Sequence, residues 1–180
     1  MKLINITLIT ILVSFISCAP KTSYELLKKA DRTISWDKKE NLYLEALKID
    51  SNSIEANLML GWHYANNLNI AVLSKSRKYF DKCILLDSTE SWHWYSMGYT
   101  YLIEERGLSY QHTEKLKEAR KNAIFYFTKA TSIDSTQDLY FYQRGRCYFD
   151  NQMESLAYID YTKSCELGNS LGCLMSKKED

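Results

Sequence analysis

A short pattern that recurs along the chain constrains its fold more than any other feature. Gly61, Gly98 and Gly145 are each followed three residues later by a tyrosine. Further on, an aromatic residue stands three positions before a small one in four places: Tyr43–Ala46, Phe80–Cys83, Phe127–Ala130 and Tyr161–Ser164. The intervals between these places are 37, 47 and 34 residues. Recurrence at such intervals indicates a chain built from similar structural units.

The units have the periodicity of α-helices. In the segment 92–101, one set of residues at helical spacing is Trp94, Met97, Gly98 and Tyr101, and a second is Trp92, Tyr95, Ser96 and Tyr99. Two such stripes predict a helix that is buried all round, or one that packs on one side and binds on the other. The low counts of Gly (6) and Pro (1) also favour helices over strands and turns.

The pattern resembles the tetratricopeptide repeat (TPR), a helix-turn-helix unit with the consensus W-x2-L-G-x2-Y…A-x3-F. The resemblance implies an all-α, right-handed superhelical solenoid of about four repeats within residues 23–176, at 23–53, 54–90, 91–137 and 138–171, followed by a tail at 177–180. The residues that match the packing positions of the family are Gly61, Tyr64, Trp94, Gly98, Tyr101, Ala123, Phe127, Ala130, Phe141, Gly145, Tyr148, Ala157 and Tyr161.

The longest interval places about 13 additional residues between the two helices of the third repeat. Helical periodicity runs back through Leu116, Ala119 and Ala123, so we expect the second helix of this repeat to be lengthened to Thr113–Ile133. Residues 104–112, which include Gly107, are then expected to form a protruding loop. In that loop Glu104 and Glu105 are interpreted as solvated charges. A short closing helix is expected within residues 169–176.

The first 17 residues have the layout of a secretory signal peptide, with Lys2, an apolar stretch and a small residue before Cys18. The sequence Phe-Ile-Ser-Cys at 15–18 resembles the lipobox of bacterial lipoproteins, although Phe15 replaces the usual leucine. The resemblance implies that Cys18 becomes the lipidated N-terminus, that residues 18–22 form a short linker, and that the protein is anchored in the cell envelope, at the outer membrane rather than the inner. The alternative is an ordinary signal peptide with a free Cys18.

Cys165 and Cys173 match the junction of Sel1-like repeats, which are relatives of TPR in which two cysteines at this spacing staple one helix to the next. The resemblance implies a Cys165–Cys173 disulfide. Cys83 and Cys147 are interpreted as buried thiols.

In TPR arrays the first helices of successive pairs line a groove that takes a peptide, and the resemblance implies the same use here. Many groove positions hold aromatic residues, which disfavours capture of a C-terminal carboxylate by a Lys/Asn clamp. The alternative is that the aromatic side chains pack between neighbouring helices. The predicted groove residues are Leu58, Met59, Trp62, Asn66, Trp92, Tyr95, Ser96, Tyr99, Ile103, Leu139, Tyr142, Gln143, Arg146 and Asp150.

The composition and motifs disfavour several functional classes. The net charge of +1 provides no field that would attract nucleic acid. His63, His93 and His112 have no metal-ligand spacing, and the sequence contains no phosphate-binding loop or nucleophile elbow. We therefore expect a non-enzymatic, membrane-anchored module that binds a protein or peptide without a cofactor or metal, as an adaptor in an envelope complex. The alternatives are a carbohydrate-binding accessory lipoprotein, an immunity-type inhibitor and a Sel1-like hydrolase.

Overall fold

The computed structural model describes residues 22–67, 69–109 and 111–177, and this part of the chain is helical without strands. The predicted signal peptide, the predicted lipidation site Cys18 and residues 178–180 lie outside the described residues. The helices are α1 (Ser23–Asp31), α2 (Trp36–Ile49), α3 (Ile54–Ala65), α4 (Ile70–Leu86), α5 (Ser91–Gly107), α6 (Thr113–Ile133), α7 (Asp138–Asp150), α8 (Glu154–Glu166) and α9 (Ser170–Met175).

The chain divides into two compact units at Ser51/Asn52. In the first unit, α1 and α2 form a pair around a small apolar core. Helix α1 begins with a capping box, in which Thr22 and Glu25 each accept a hydrogen bond from the other's backbone N–H at 3.2 Å. The residues buried in this pair are Leu26, Leu27, Ala30, Leu42, Tyr43 and Ala46.

The second unit contains the helix pairs α3/α4, α5/α6 and α7/α8, followed by α9. In each pair an aromatic ring of the second helix lies against a glycine of the first. A Cβ atom on Gly61 would be 2.5 Å from Phe80, and one on Gly98 would be 2.9 Å from Phe127. Gly145 has the same relation to Tyr161, at 2.9 Å. The recurring glycine therefore allows the two helices of a pair to approach closely, which is why it marks each of these repeats.

The structure also explains why a small residue stands three positions after the aromatic residue of a second helix. Cys83 donates from its sulfur to the carbonyl oxygen of Ile54, the first residue of α3, at 3.6 Å. At the equivalent place Ser164 donates to the carbonyl oxygen of Asp138, the first residue of α7, at 2.8 Å. Both side chains are fully buried. A small residue fits this closely packed site. Its thiol or hydroxyl group donates a hydrogen bond to a carbonyl group at the start of the partner helix.

Two of the junctions between helix pairs contain the same type of turn. Asp87 Oδ1 accepts hydrogen bonds from the backbone N–H of Thr89 at 2.9 Å and from its hydroxyl at 2.7 Å. Asp134 makes the same two bonds with Thr136, at 2.9 and 2.6 Å. Side-chain acceptance two residues onward reverses the chain after a helix, which explains why an aspartate follows the second helices α4 and α6.

The predicted loop at 104–112 is wrong in its first part, because α5 continues to Gly107. A Cβ atom on Gly107 would lie 2.6 Å from Ile70, so this glycine permits close approach of α4 to α5 and does not mark a loop. The interpretation of Glu104 and Glu105 as solvated charges is also wrong. Glu104 forms an ion pair with Arg77 of α4. The carboxylate of Glu105, only 9% exposed, forms one with Arg120 of α6 at 2.9 Å.

The second helix of the third repeat, α6, has the predicted bounds of Thr113–Ile133. The closing helix is also present, as the six-residue α9. Cys165 at the end of α8 and Cys173 in α9 form a disulfide, with their Cα atoms 4.4 Å apart. This is the pair for which the Sel1-like resemblance implied a bridge. The disulfide fixes α9 against the last helix pair.

Candidate functional site

Five aromatic side chains from the first helices of three successive pairs form one continuous cluster. Trp62 comes from α3, Trp92, Tyr95 and Tyr99 come from α5, and Tyr140 comes from α7. We call this cluster the aromatic face. Its members are brought together because the first helices of neighbouring pairs lie side by side, so residues at similar repeat positions meet.

The rings of the aromatic face are in contact along the whole cluster. Trp92 is stacked on Tyr95, with ring centroids 4.8 Å apart and an interplanar angle of 23°. Trp62 lies 5.8 Å from Trp92 and 5.4 Å from Tyr99. On the other side Tyr140 is stacked on Tyr95 at 5.0 Å. These separations are typical of favourable aromatic pairs, so the cluster is held rigidly.

The structure distinguishes the predicted groove residues by their burial. Tyr95 is 3% exposed and rests on Phe127 of α6 at 5.5 Å, so it belongs to the core beneath the face. Ser96 is fully buried, and its hydroxyl donates to the carbonyl oxygen of Trp92 at 2.7 Å. Ile103 and Gln143 are buried too. The helix packing covers these four residues, so the accessible part of the predicted groove is formed by the others.

The remaining predicted groove residues keep accessible surface. Trp92 is 36% exposed, although one of its faces is covered by Tyr95. Arg146 is half-buried and donates to Gln143 Oε1 at 3.4 Å. The aromatic face thus has a buried base and an accessible surface. The other accessible residues are Leu58, Met59, Trp62, Tyr99, Leu139, Tyr142 and Asp150, which are half-buried, and Asn66, which is exposed.

Tyr140 was not among the predicted groove residues. It is 3% exposed, and its hydroxyl lies 3.1 Å from the hydroxyl of Ser91. The equivalent positions of the preceding repeats hold Ala56 and His93, so comparison of the repeats gave no consistent signal there. The Ser91–Tyr140 hydrogen bond connects the start of α5 with the start of α7 and positions Tyr140 against Trp92, at 6.4 Å.

Burial suppresses ionisation within the aromatic face. Removal from water raises the pKa of Tyr95 far above that of a free tyrosine, with a smaller contribution from neighbouring Tyr99. Burial also raises the pKa of Tyr140, against the opposing effect of its hydrogen bond with Ser91. Both phenols stay neutral at physiological pH, and the surface that they support offers stacking and apolar contact.

Among the described residues, the two free cysteines are not activated as nucleophiles. Burial raises the pKa of Cys83 to about 12, and burial together with Glu105 and Asp150 raises the pKa of Cys147 to about 12. Both thiols are therefore protonated at neutral pH, and only the thiolate is a nucleophile. His93 Nδ1 lies 2.9 Å from the carbonyl oxygen of Asp87, an arrangement in which the ring donates and supports a turn.

Among residues 22–67, 69–109 and 111–177, no group of three or more His, Cys, Asp or Glu side chains has an arrangement suited to a metal ion. Within the same ranges, no helix has the length and apolar character that a membrane-spanning segment needs.

Comparison with known proteins relates the chain to others through its structure. No family model matches the sequence, and the search of curated proteins finds no match. Among solved structures, MamA superimposes with a TM-score of 0.62 at 19% identity, over 84% of this chain and 77% of MamA. A thermophilic TPR protein of Thermus thermophilus gives a TM-score of 0.67 at 14% identity, over 82% of this chain and 75% of that protein. The fold is that of a TPR solenoid.

IFIT1, in a structure with m7Gppp-AAAA, superimposes with a TM-score of 0.70 at 18% identity. The match covers 85% of this chain but only 35% of IFIT1, so the chain corresponds to about a third of that protein. At these identities the likeness concerns the fold.

Proposed function

We propose that this protein is a membrane-tethered, non-enzymatic module that binds a protein or peptide segment on its aromatic face, as an adaptor or scaffold in a bacterial cell-envelope complex. The observation that carries the proposal is the arrangement of Trp92. Its ring is stacked on a buried tyrosine, bordered by Trp62 and Tyr140, and still 36% exposed. A large ring that is immobilised in this way loses little conformational entropy when a partner covers it.

The surroundings of Trp92 define the chemistry of the partner. Trp62 lies against the ring of Trp92 and Tyr99 lies against Trp62, and both residues keep accessible, largely apolar surface. Such a surface suits a segment with apolar side chains that can lie across neighbouring first helices. Aromatic anchors of this kind contribute about 2 kcal/mol or more to protein interfaces.

The predicted lipid at Cys18 would confine the module to a membrane surface. Confinement raises the effective concentration towards partners at the same surface, so that a moderate affinity is sufficient. The sequence supports this part of the proposal through the apolar segment and the lipobox resemblance. We expect Cys18→Ala to move the full-length protein from the membrane fraction to the soluble fraction. Unchanged membrane association of this variant would contradict lipidation.

The binding proposal is tested by affinity capture from envelope extracts with tagged full-length protein, comparing wild type with Trp92→Ala and Phe125→Ala. Phe125 is a matched control, since it is an exposed aromatic residue (51%) on a second helix, α6, outside the aromatic face. We expect Trp92→Ala to lose the captured partner at least tenfold and Phe125→Ala to retain it. Equal capture by wild type and Trp92→Ala would refute the proposal.

A stacked aromatic platform also suits the face of a sugar ring, which keeps the carbohydrate-binding alternative open. Direct binding to a glycan array that is abolished by Trp92→Ala would favour that alternative over a protein partner. The capped RNA in the IFIT1 structure is not carried over to this chain, because its net charge of +1 provides no electrostatic basis for binding a polyanion.

A further inference from the structure

The residue directly after the repeat's glycine changes in character from one first helix to the next. Trp62, Tyr99 and Arg146 each follow the glycine of their repeat. The rings of Trp62 and Tyr99 lie against each other, with centroids 5.4 Å apart. On the next first helix, α7, the equivalent residue is the half-buried Arg146. The row of aromatic side chains is therefore continued by a guanidinium group.

Hydrogen bonds connect Arg146 to the base of the aromatic face. Its Nη1 donates to Gln143 Oε1 at 3.4 Å. Burial raises the pKa of Tyr95, and a hydrogen bond between its phenol and the Gln143 side chain opposes this rise. Tyr95 is the ring on which Trp92 is stacked, at 4.8 Å. The guanidinium group of Arg146 is thus linked, through one side chain, to the hydroxyl end of that tyrosine.

A second guanidinium group lies at the same end of the face. Arg106, in the last turn of α5, is exposed. Its positive charge acts on Tyr95, where it opposes the effect of burial on the pKa. Burial also raises the pKa of Cys147, and the charges of Arg146 and Arg106 both oppose that rise. Two cationic groups from successive first helices therefore act on the same buried residue.

The nearby carboxylates do not neutralise both guanidinium groups. Glu105 acts on Cys147 as well, but its carboxylate is paired with Arg120 at 2.9 Å. Asp150, the last residue of α7, is the other acidic group that acts on Cys147. In the part of the chain that the structure describes, neither of the two arginines forms an ion pair. This end of the face therefore has an excess of positive charge.

The other end of the face has the opposite charge. Burial raises the pKa of Tyr140, and the negative charges of Asp134 and Glu90 raise it further. The hydroxyl of Tyr140 is hydrogen-bonded to Ser91, at the start of α5, whereas Arg106 lies at the end of that helix. An acidic residue of a bound segment is attracted to one end and repelled from the other, and such complementarity fixes how a partner is oriented.

On the basis of the proposed function, in which a protein segment covers the aromatic face, we propose that Arg106 and Arg146 form a subsite for a carboxylate side chain of that segment. The segment then has an aspartate or glutamate close to the apolar residue that covers Trp92. Guanidinium groups bind carboxylates strongly and with defined geometry, because two parallel hydrogen bonds can form. The two arginines thus select among the apolar segments that the aromatic face alone would accept.

Phage-displayed random peptides, selected on the full-length protein purified in detergent, are the probe. The displayed peptides have no free C-terminus, so a carboxylate must come from an aspartate or glutamate side chain. We expect the selection to enrich peptides in which an acidic residue stands close to an aromatic or apolar one. A synthetic copy of an enriched peptide should bind about tenfold more tightly than its counterpart with asparagine or glutamine at the acidic position, measured by fluorescence anisotropy.

Variants of the protein assign this preference to the two arginines. Arg106→Met and Arg146→Met should each weaken binding of the acidic peptide about tenfold. The double variant should no longer distinguish the acidic peptide from its amide counterpart. Arg32→Met is the matched control, because Arg32 is an exposed arginine after α1, in the first unit, and this variant should bind both peptides as wild type does.

The outcomes separate this subsite from the proposed function. Peptides that bind wild type more tightly than Trp92→Ala, but bind equally well with the acid and with the amide, would overturn the subsite and leave the proposed function intact. A double variant that still prefers the acidic peptide would overturn the subsite as well. If no selected peptide binds wild type more tightly than Trp92→Ala, both proposals are overturned.

Discussion

The ion pair between Arg144 and Asp160 allows a quantitative test of how the last helix pair is held together. Arg144 of α7 donates through Nε and Nη2 to the two carboxylate oxygens of Asp160 of α8, each at 2.7 Å. Its Nη1 donates to Thr131 of α6 at 2.8 Å, so one guanidinium joins three helices. The side chains of Arg144 and Asp160 are only 15% and 3% exposed.

Asp160→Asn keeps the size of the side chain but leaves the guanidinium without its charge partner. Removal of one partner from a buried pair costs about 3–5 kcal/mol, because the remaining charge is left uncompensated. We expect a loss near the lower limit, about 3 kcal/mol, since Arg144 keeps its bond to Thr131 and some contact with water. The same reasoning predicts a larger loss for Arg144→Met, which leaves the more buried Asp160 carboxylate unpaired.

The double variant Arg144→Met/Asp160→Leu distinguishes the penalty of an unpaired charge from the loss of the pair itself. Apolar groups of similar volume often replace a buried pair with little net cost, so we expect the double variant to lose less than either single variant. The control is Glu114→Gln, which removes the exposed Lys117–Glu114 pair and should change stability by less than about 0.5 kcal/mol.

Urea unfolding of the full-length protein at pH 7, followed by circular dichroism at 222 nm, gives the free energy of unfolding by linear extrapolation. With Asp160→Leu added as a single variant, the double-mutant cycle of Arg144→Met and Asp160→Leu gives the coupling energy of the pair, which should be about 2 kcal/mol or more. A loss below about 1 kcal/mol for Asp160→Asn, or a double variant as unstable as the sum of the single variants, would refute the reasoning.

Three further predictions follow from particular groups. Cys165→Ser should lower the free energy of unfolding by about 2–3 kcal/mol, as expected for a disulfide that closes a short loop. Thermal unfolding measures this change, and reduced wild-type protein that is as stable as the oxidised protein would contradict the prediction. Cys83 and Cys147 should resist iodoacetamide at pH 8 in the folded protein and react fully in urea, because burial raises both pKa values to about 12; rapid labelling of the folded protein would contradict their burial. The hydrogen bonds from Thr89 lower the pKa of Asp87. The stability that this turn contributes is therefore present above the ordinary aspartate pKa and is lost as the pH falls through the lower pKa of the folded state. An NMR titration in which Thr89→Val leaves the pKa of Asp87 unchanged would contradict the assignment.

The sequence predicted the repeat well because its signals are steric requirements. A glycine opposite an aromatic ring admits no larger side chain, so both partners recur in Gly61–Phe80 and Gly98–Phe127, although the number of residues between them differs. The bounds of α6 were predicted for a similar reason, since its apolar periodicity is continuous. Gly107 was misinterpreted because glycine often ends helices, whereas here a side chain of another helix, Ile70, requires the absence of a Cβ atom.

The candidate site was less predictable, because burial depends on which helix covers each side chain. Trp92 and Tyr95 lie three residues apart on one helix and are equally typical of a core or a binding surface. The positions of Phe127 and Tyr140 against Tyr95 explain why this ring is buried while that of Trp92 keeps accessible surface. The sequence therefore predicted the aromatic face as a region but could not divide it into its buried base and its accessible surface.

The positions of the cysteines have a consequence for the order of oxidative folding. The four cysteines in the described part of the chain are Cys83, Cys147, Cys165 and Cys173, and they could be joined in three ways as two bridges. Within that part the structure has one bridge, between the two that are eight residues apart. A short loop closes at the lowest entropic cost, so this pair is kinetically favoured in the unfolded chain. The two remaining thiols become inaccessible once their helices pack. Prompt formation of the repeats thus protects the chain from wrong bridges, and folding of this protein is expected to need an oxidant but no disulfide isomerase.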